Sequence, residues 1–116
     1  MYSKDLIKGT LSTIILNLLN ARGAMYGYEI TQAVKSGSSG KYEIREGSLY
    51  PALHKMLADG FITAREEQVG RRIRVYYEIT LSGRKRLQHK QDELFSFFET
   101  LVSLLNPQNS QSTYAQ

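Results

Sequence analysis

The chain has 116 residues, no cysteine and a formal net charge of +4, with a pI near 9.4. A chain of this length forms one compact domain and has no room for a second core. Its hydrophobic share of 41% excludes a wholly disordered chain. The lack of cysteine excludes disulfides, thiol catalysis and zinc sites built from cysteine.

The basic residues are concentrated in one part of the chain. Between Arg71 and Lys90 there are seven basic residues and a single acidic residue, Glu78. A basic stripe on an otherwise balanced domain is typical of a protein that binds a polyanion, although a solvated basic surface is the alternative. The apolar stretch from Leu11 to Leu19 is too short to cross a bilayer, so we expect a cytoplasmic protein with no membrane partner.

Three helices are predicted in the first half of the chain. The spacing of apolar residues predicts a helix from Lys4 to Ala21, capped by Ser3, and a short helix from Gly27 to Lys35. A third helix is predicted to start near Ser48, with Pro51 as its third residue. Its buried face is predicted to consist of Leu49, Leu53, Met56 and Leu57.

Two strands and a long helix are predicted in the second half. The strands run from Phe61 to Arg65 and from Ile73 to Ile79, and the alternation in the second predicts a hairpin with one buried face. That face would carry Ile73, Val75, Tyr77 and Ile79. The last helix is predicted from Leu81 to Leu105, capped by Thr80 or Ser82 and closed by Pro107. Residues 107–116 are uncharged and rich in Gln and Ser, which predicts a disordered tail.

This order of elements predicts a winged helix-turn-helix. The fold class is mainly α with a small β-hairpin, an α+β fold in which a winged helix-turn-helix domain is followed by a long C-terminal dimerisation helix. The third helix would enter the major groove of DNA, and the hairpin, or wing, would brace against the backbone. We therefore divide the chain into a DNA-binding domain in residues 1–80, a dimerisation helix in residues 81–106 and the tail.

The polar face of the third helix carries the side chains that would contact DNA. Five residues are predicted to face outward, namely Ser48, Tyr50, Pro51, His54 and Lys55. Hydroxyl groups near a helix N-terminus bind phosphate, and histidine and lysine reach phosphate or base edges. An ordinary amphipathic helix with a wet polar side is the alternative.

Three arginines lie at the predicted tip of the wing, namely Arg71, Arg72 and Arg74. Guanidinium groups bind phosphate in a bidentate way and enter narrow minor grooves. Like charges on a narrow projection repel one another unless an anion compensates them. A solvated charged turn is the alternative.

The last helix carries an apolar seam at heptad spacing, interrupted by Gln91. The seam consists of Leu87, Leu94, Phe98, Leu101 and Leu105. At about 37 Å the helix is too long for so small a domain to cover. The same helix and the first helix of a second copy would cover it in a symmetric homodimer, which would bind a palindromic operator in double-stranded DNA. A helix folded back on its own domain is the alternative.

The sequence contains no motif that indicates catalysis. His54 and His89 are the only histidines, and neither has the spacing of a metal ligand relative to acidic residues. The glycines around residues 37–40 do not form a GxxxxGK phosphate loop. We predict that the chain is not an enzyme and binds neither a metal nor a cofactor.

Three stretches of the sequence resemble the PadR family of bacterial transcriptional regulators. They are Lys8-Gly9-Thr10-Leu11 through Met25-Tyr26-Gly27-Tyr28-Glu29-Ile30, then Glu46-Gly47-Ser48-Leu49-Tyr50-Pro51-Ala52-Leu53, and finally Gly70-Arg71-Arg72 with Tyr76-Tyr77 and Thr80. The resemblance implies dimerisation through the first and last helices, repression by operator binding, and release by a small ligand or a stress signal. We place Tyr28, in the first stretch, among the predicted DNA contacts.

The resemblance also bears on an effector. Some members of the family bind flat aromatic compounds in an apolar pore at the dimer centre, between indole rings of the last helix. This chain has no tryptophan, and counting from Gly83 places Leu94 at the stacking position. A pore for an apolar or aromatic small molecule would be lined by Thr13, Leu16, Leu94 and Phe98. A filled core without a ligand is the alternative.

Overall fold

The computed structural model describes residues 1–106 and 108. The elements in chain order are α1 (Lys4–Arg22), β1 (Met25–Tyr26), α2 (Gly27–Gly37), α3 (Glu46–Ala58), β2 (Ile62–Val69), β3 (Arg72–Ile79) and α4 (Leu81–Leu105). The predicted α+β class, with mostly helices and a small antiparallel sheet, is confirmed. The predicted disordered tail lies outside the described residues, apart from residue 108. No helix in the described part of the chain is long and apolar enough to cross a membrane.

The first helix is the centre of the core. The side chain of Ser3 caps it by accepting from the amide of Leu6 at 3.5 Å, and Gly23, at a φ of 84°, ends it. A positive φ is the conformation that glycine adopts without the steric cost of a Cβ. The fully buried side chains come from all parts of the domain, and they are Ile15, Leu16, Leu19, Ile30, Leu49, Leu53 and Ile62.

The sheet has three strands in the order β1–β3–β2, and both pairings are antiparallel. Strand β1, which is not predicted from the sequence, pairs Met25 with Tyr77 and Tyr26 with Tyr76. A two-residue strand gives no detectable alternation, so only the tertiary pairing defines it. This strand matters for the site, because it joins the wing to the start of α2.

The buried face predicted for the second wing strand is only half correct. Tyr77 and Ile79 are buried, as predicted, but Ile73 is 62% exposed and Val75 is 36% exposed. The physical reason is the length of the hairpin, because its two strands are eight residues each. In the described part of the chain, the half of the wing nearest the turn extends past the helices, which leaves Ile73 and Val75 exposed.

The third helix begins two residues earlier than predicted. Its N-cap is Arg45 in extended conformation, and the Arg45 carbonyl accepts from the amides of Ser48 and Leu49, both at 2.9 Å. Pro51 is therefore inside the helix rather than its third residue. The prolyl nitrogen cannot donate to the carbonyl of Gly47, but Gly47 is exposed, so water can satisfy that carbonyl.

The last helix is anchored to the domain only along its first half. Thr80 caps it, with its hydroxyl accepting from the amide of Gly83 at 3.0 Å and donating to the carbonyl of Gly60 at 2.7 Å. Leu87 is buried in the core, and the Gln91 side-chain amide donates to the side-chain oxygen Oδ1 of Asn17 at 3.1 Å. Beyond Gln91 the helix extends away from its own domain, and the described chain measures 63 × 30 × 21 Å.

Candidate nucleic-acid interface

The outward face of α3 carries the five residues predicted for it. Ser48, Tyr50, Pro51, His54 and Lys55 are all exposed. On the opposite face Leu49, Leu53 and Met56 are buried, while Leu57 is only partly buried. Packing of that apolar face on α1 and the sheet holds the helix rigidly and leaves the polar face to solvent. This is the arrangement that a helix needs in order to enter a major groove.

Lys55 forms only a weak ion pair within the chain. Its ammonium lies 3.5 Å from a carboxylate oxygen of Asp59, and its side chain is 78% exposed. An exposed pair of this kind contributes little, because water and salt screen it. The lysine is therefore free to exchange Asp59 for a phosphate.

The starts of α2 and α3 lie side by side. A Cβ added to Gly27 would come within 2.9 Å of the Tyr50 hydroxyl oxygen and 3.4 Å of a Leu49 methyl carbon. Glycine at this position lets the two helices approach closely. As a result Tyr50, in the second turn of α3, packs beside the first residue of α2, which is followed by Tyr28, 64% exposed.

The tip of the wing presents two arginines rather than three. Gly70, at a φ of 62°, makes the turn, and both Arg71 and Arg72 are exposed. Neither of these two forms an ion pair with a carboxylate in the described part of the chain. Two uncompensated guanidinium groups on a narrow hairpin are suited to phosphate oxygens.

Arg74 differs from these two arginines in its surroundings, and its predicted contact with DNA stays a prediction. Its guanidinium reaches back over the Tyr26 ring, with the guanidinium carbon 4.3 Å from the ring centroid. Tyr26 also meets Tyr76 edge to face, at 5.5 Å between centroids. The interaction with Tyr76 raises the pKa of Arg74 above its ordinary value, so the cation persists. The stacking arises from the pairing of β1 with β3, which the sequence analysis missed.

A further arginine, Arg65, was not singled out from the sequence. It forms ion pairs with Glu67 at 3.1 Å and Glu78 at 3.4 Å. Its guanidinium carbon also lies 5.6 Å from the centroid of Tyr76. The hairpin register, which pairs Arg65 with Tyr76, is the signal that would have found it. Because Arg65 is paired with two carboxylates within the wing, it adds no free positive charge there.

The residues predicted for the dimer seam and for the effector pore differ in how far they are buried. Leu87 and Leu16 are 3% and 2% exposed. Both predictions need correction, because residues buried in the chain's own core offer no surface to a partner or a ligand. By contrast Phe98 is 47% and Leu105 is 76% exposed. The remaining members of the two sets are half-buried, namely Thr13, Leu94 and Leu101.

Comparison with known proteins agrees with this geometry. Residues 15–89 match the sequence pattern of the Transcriptional regulator PadR-like family. The structure of a transcriptional regulator from Clostridium thermocellum is 33% identical, with a TM-score of 0.76 over 90% of this chain and 97% of that one. The structure of smu.1704 from Streptococcus mutans UA159 is 28% identical, with a TM-score of 0.75 over 90% of this chain and 93% of that one.

A curated relative extends the comparison. Transcriptional regulator YqjI of Escherichia coli (strain K12) is 29% identical over 86 residues, which are 74% of this chain. This chain spans only 40% of the length of that relative.

The three-helix core, the wing and the exposed face of α3 define a winged-helix transcriptional regulator. The chain belongs to the PadR-like family. Membership of this family makes it a DNA-binding regulator of transcription rather than an enzyme.

Proposed function

We propose that this chain is a cytoplasmic homodimeric repressor that binds a palindromic site in double-stranded DNA and is released by a small molecule or a stress signal. The observation that carries the proposal is the exposed polar face of α3 beside a wing tipped by Arg71 and Arg72. Residues 1–80 would bind DNA, and the helix in residues 81–106 would hold the two copies together.

The DNA contacts divide by chemistry. The α3 residues Tyr50, His54 and Lys55 would lie in the major groove, where they reach base edges and phosphates. Ser48 and Tyr28 would bind phosphate at the two helix N-termini, and Pro51 would make apolar contact. Arg71 and Arg72 would bind the backbone or enter the adjacent minor groove. Arg74 would act indirectly, by holding the wing against Tyr26.

The second copy would cover the distal half of α4. Six apolar side chains there are 47% to 76% exposed, namely Phe95, Phe97, Phe98, Val102, Leu104 and Leu105. A contiguous apolar surface of this kind on a projecting helix marks an interface. Because Leu87 belongs to the core and Gln91 is bonded to Asn17, the interface would begin after Gln91. Two-fold symmetry would then place the α3 helices in successive major grooves.

Release by a ligand rests on the family resemblance. The surviving candidates for a central pore are Thr13, Leu94 and Phe98, because Leu16 is covered by its own core. The alternative is that the second copy fills this space completely.

A binding titration tests the proposal. The probe is the DNA upstream of the gene for this chain, with random DNA as competitor and with the salt concentration varied. We expect tight, sequence-selective binding by a dimer, with an affinity that falls as salt rises. If random DNA competes for the protein as well as the upstream DNA does, there is no specific operator in that DNA. Salt-independent binding would contradict the phosphate contacts.

A further inference from the structure

A groove of about 840 Å³ lies between the N-terminal half of α1 and the outer side of α3, away from the predicted central pore. Its exposed apolar surface comes from Met1 and Tyr2, before α1, and from Pro51 of α3, while Ile7 and Leu11 of α1 lie beneath it and are buried. Its size is typical of a pocket for a small molecule, and pockets of that kind are mostly apolar with a few polar groups.

The rim of the groove is strongly basic. Lys4 and Lys8 of α1, Arg45 before α3 and Lys55 of α3 line it, against a single carboxylate, Glu43. Lys4 and Lys8 are exposed and form no ion pair in the described part of the chain. Apolar surface beside two cations without an ion pair, Lys4 and Lys8, is complementary to a ligand that has an apolar chain and one negative charge.

The groove lies on a different side of α1 from the chain's own α4. Asn17, which bonds to Gln91, marks the side of α1 that meets α4. Lys4 and Lys8 lie on the side of α1 that faces α3.

The groove overlaps the proposed DNA surface. Ser48, Pro51 and Lys55 line the groove and also belong to the outward face of α3. The chain of a ligand held there would cover Pro51 and lie between Lys55 and a DNA phosphate. Ligand and DNA would then compete for the same face, which is a direct route to release.

We propose that the α1–α3 groove binds a long-chain monocarboxylate, with the chain on the apolar floor and the carboxylate held by Lys4 and Lys8, and that this ligand competes with DNA. The competition rests on the proposed function, whereas the binding itself does not. The two cations lie one helical turn apart on α1, so a single carboxylate can lie between them.

Calorimetric titration with decanoate tests the binding in the absence of DNA. Decanol, which has no charge, and acetate, which has no chain, serve as ligand controls. The double variant Lys4→Ser/Lys8→Ser removes the two cations, and Lys35→Ser/Lys85→Ser is a control with the same net charge. We expect the parent and the control variant to bind decanoate, and the groove variant to bind at least about tenfold more weakly. Equal affinity in both variants, or no binding by the parent, would overturn the site.

A DNA titration with and without decanoate tests the competition. We expect decanoate to weaken DNA binding by the parent and by the control variant, and to leave the groove variant unaffected. Decanoate bound in the groove with no effect on DNA affinity would overturn the competition. A parent that binds decanoate through Lys4 and Lys8 but shows no selective DNA binding would contradict the proposed function and leave the site standing.

Discussion

The guanidinium carbon of Arg74 lies 4.3 Å from the centroid of the Tyr26 ring, which joins the wing to the N-terminus of α2. Tyr26 is itself fixed, because its amide donates to a carboxylate oxygen of Glu29 at 3.1 Å. A cation over a tyrosine ring contributes about 0.5–1 kcal/mol at an exposed site. The contact therefore adds to the β1–β3 pairing that holds the wing against the start of α2.

Arg74 and Arg71 should differ in their effect on the salt dependence of DNA binding. Arg71→Ala removes a phosphate contact, so the slope of log K against log salt should fall by about 0.9. Arg74→Ala loosens the wing, so affinity should fall by a few fold with the slope unchanged. Titrations across a series of salt concentrations measure both quantities. Equal slopes for Arg71→Ala and the parent would remove Arg71 from the interface, and a lower slope for Arg74→Ala would make Arg74 a phosphate contact.

The junction between β2 and α4 should be intolerant of a methyl group. A Cβ added to Gly83 would lie 2.1 Å from the carbonyl oxygen of Phe61 and 2.8 Å from a side-chain carbon of Ile79. Because backbone must move, Gly83→Ala should lower the free energy of unfolding by about 3 kcal/mol or more. Urea denaturation followed by circular dichroism measures it.

Gly9 provides the matched control in α1. A Cβ there would meet nothing within 4 Å. Gly9→Ala should therefore raise the free energy of unfolding by about 0.5–1 kcal/mol, because alanine loses less backbone entropy in a helix. Comparable destabilisation by both substitutions would contradict the close approach of α4 to Phe61.

Charge on the exposed seam of α4 should separate the two copies. Phe98→Glu places a carboxylate in the proposed apolar interface and should yield a monomer in light scattering. Ser96→Glu, also exposed on α4 but outside the apolar stripe, should leave the dimer intact. A dimeric Phe98→Glu protein would show that the second copy is held elsewhere.

Stability should fall in alkaline solution through Tyr42. Its hydroxyl donates to the Ile7 carbonyl at 3.0 Å and lies 2.8 Å from the Thr10 hydroxyl oxygen. Burial raises the pKa of Tyr42 above the ordinary value of 10.0. The stabilisation is therefore complete below pH 10.0 and is lost as the pH rises through the folded-state pKa.

The substitution Tyr42→Phe isolates this effect. It should lower the free energy of unfolding by about 1 kcal/mol at neutral pH. Above pH 10 the variant should lose stability less steeply than the parent, since one raised tyrosine pKa is gone. Urea unfolding at a series of pH values measures both, and parallel pH profiles would exclude a role for Tyr42 ionisation.

The sequence predicted the helices well because their apolar spacing is set locally. The bounds of α4 and most of the buried face of α3 follow from that spacing. Features that depend on tertiary contact were missed. Leu87 continues the seam in sequence but packs into the core, because the first half of α4 lies on α1.

The candidate site likewise combines features that local sequence spacing predicts with features that depend on tertiary contact. The outward face of α3 could be predicted, since it is the complement of a buried apolar stripe. The stacking of Arg74 on Tyr26 could not, because it requires the pairing of β1 with β3. The α1–α3 groove likewise joins residues about 40 positions apart in sequence, and no local pattern brings them together.

Selection of binding sites from a pool of random DNA tests the central claim most directly, because it assumes neither a gene nor an operator. The account predicts enrichment of a palindrome whose half-sites are centred about one helical turn apart, the spacing that two α3 helices in a symmetric dimer require. It also predicts that Phe98→Glu protein enriches nothing. An enriched sequence without two-fold symmetry, or no enrichment by the parent, would contradict a dimeric repressor that reads DNA with α3.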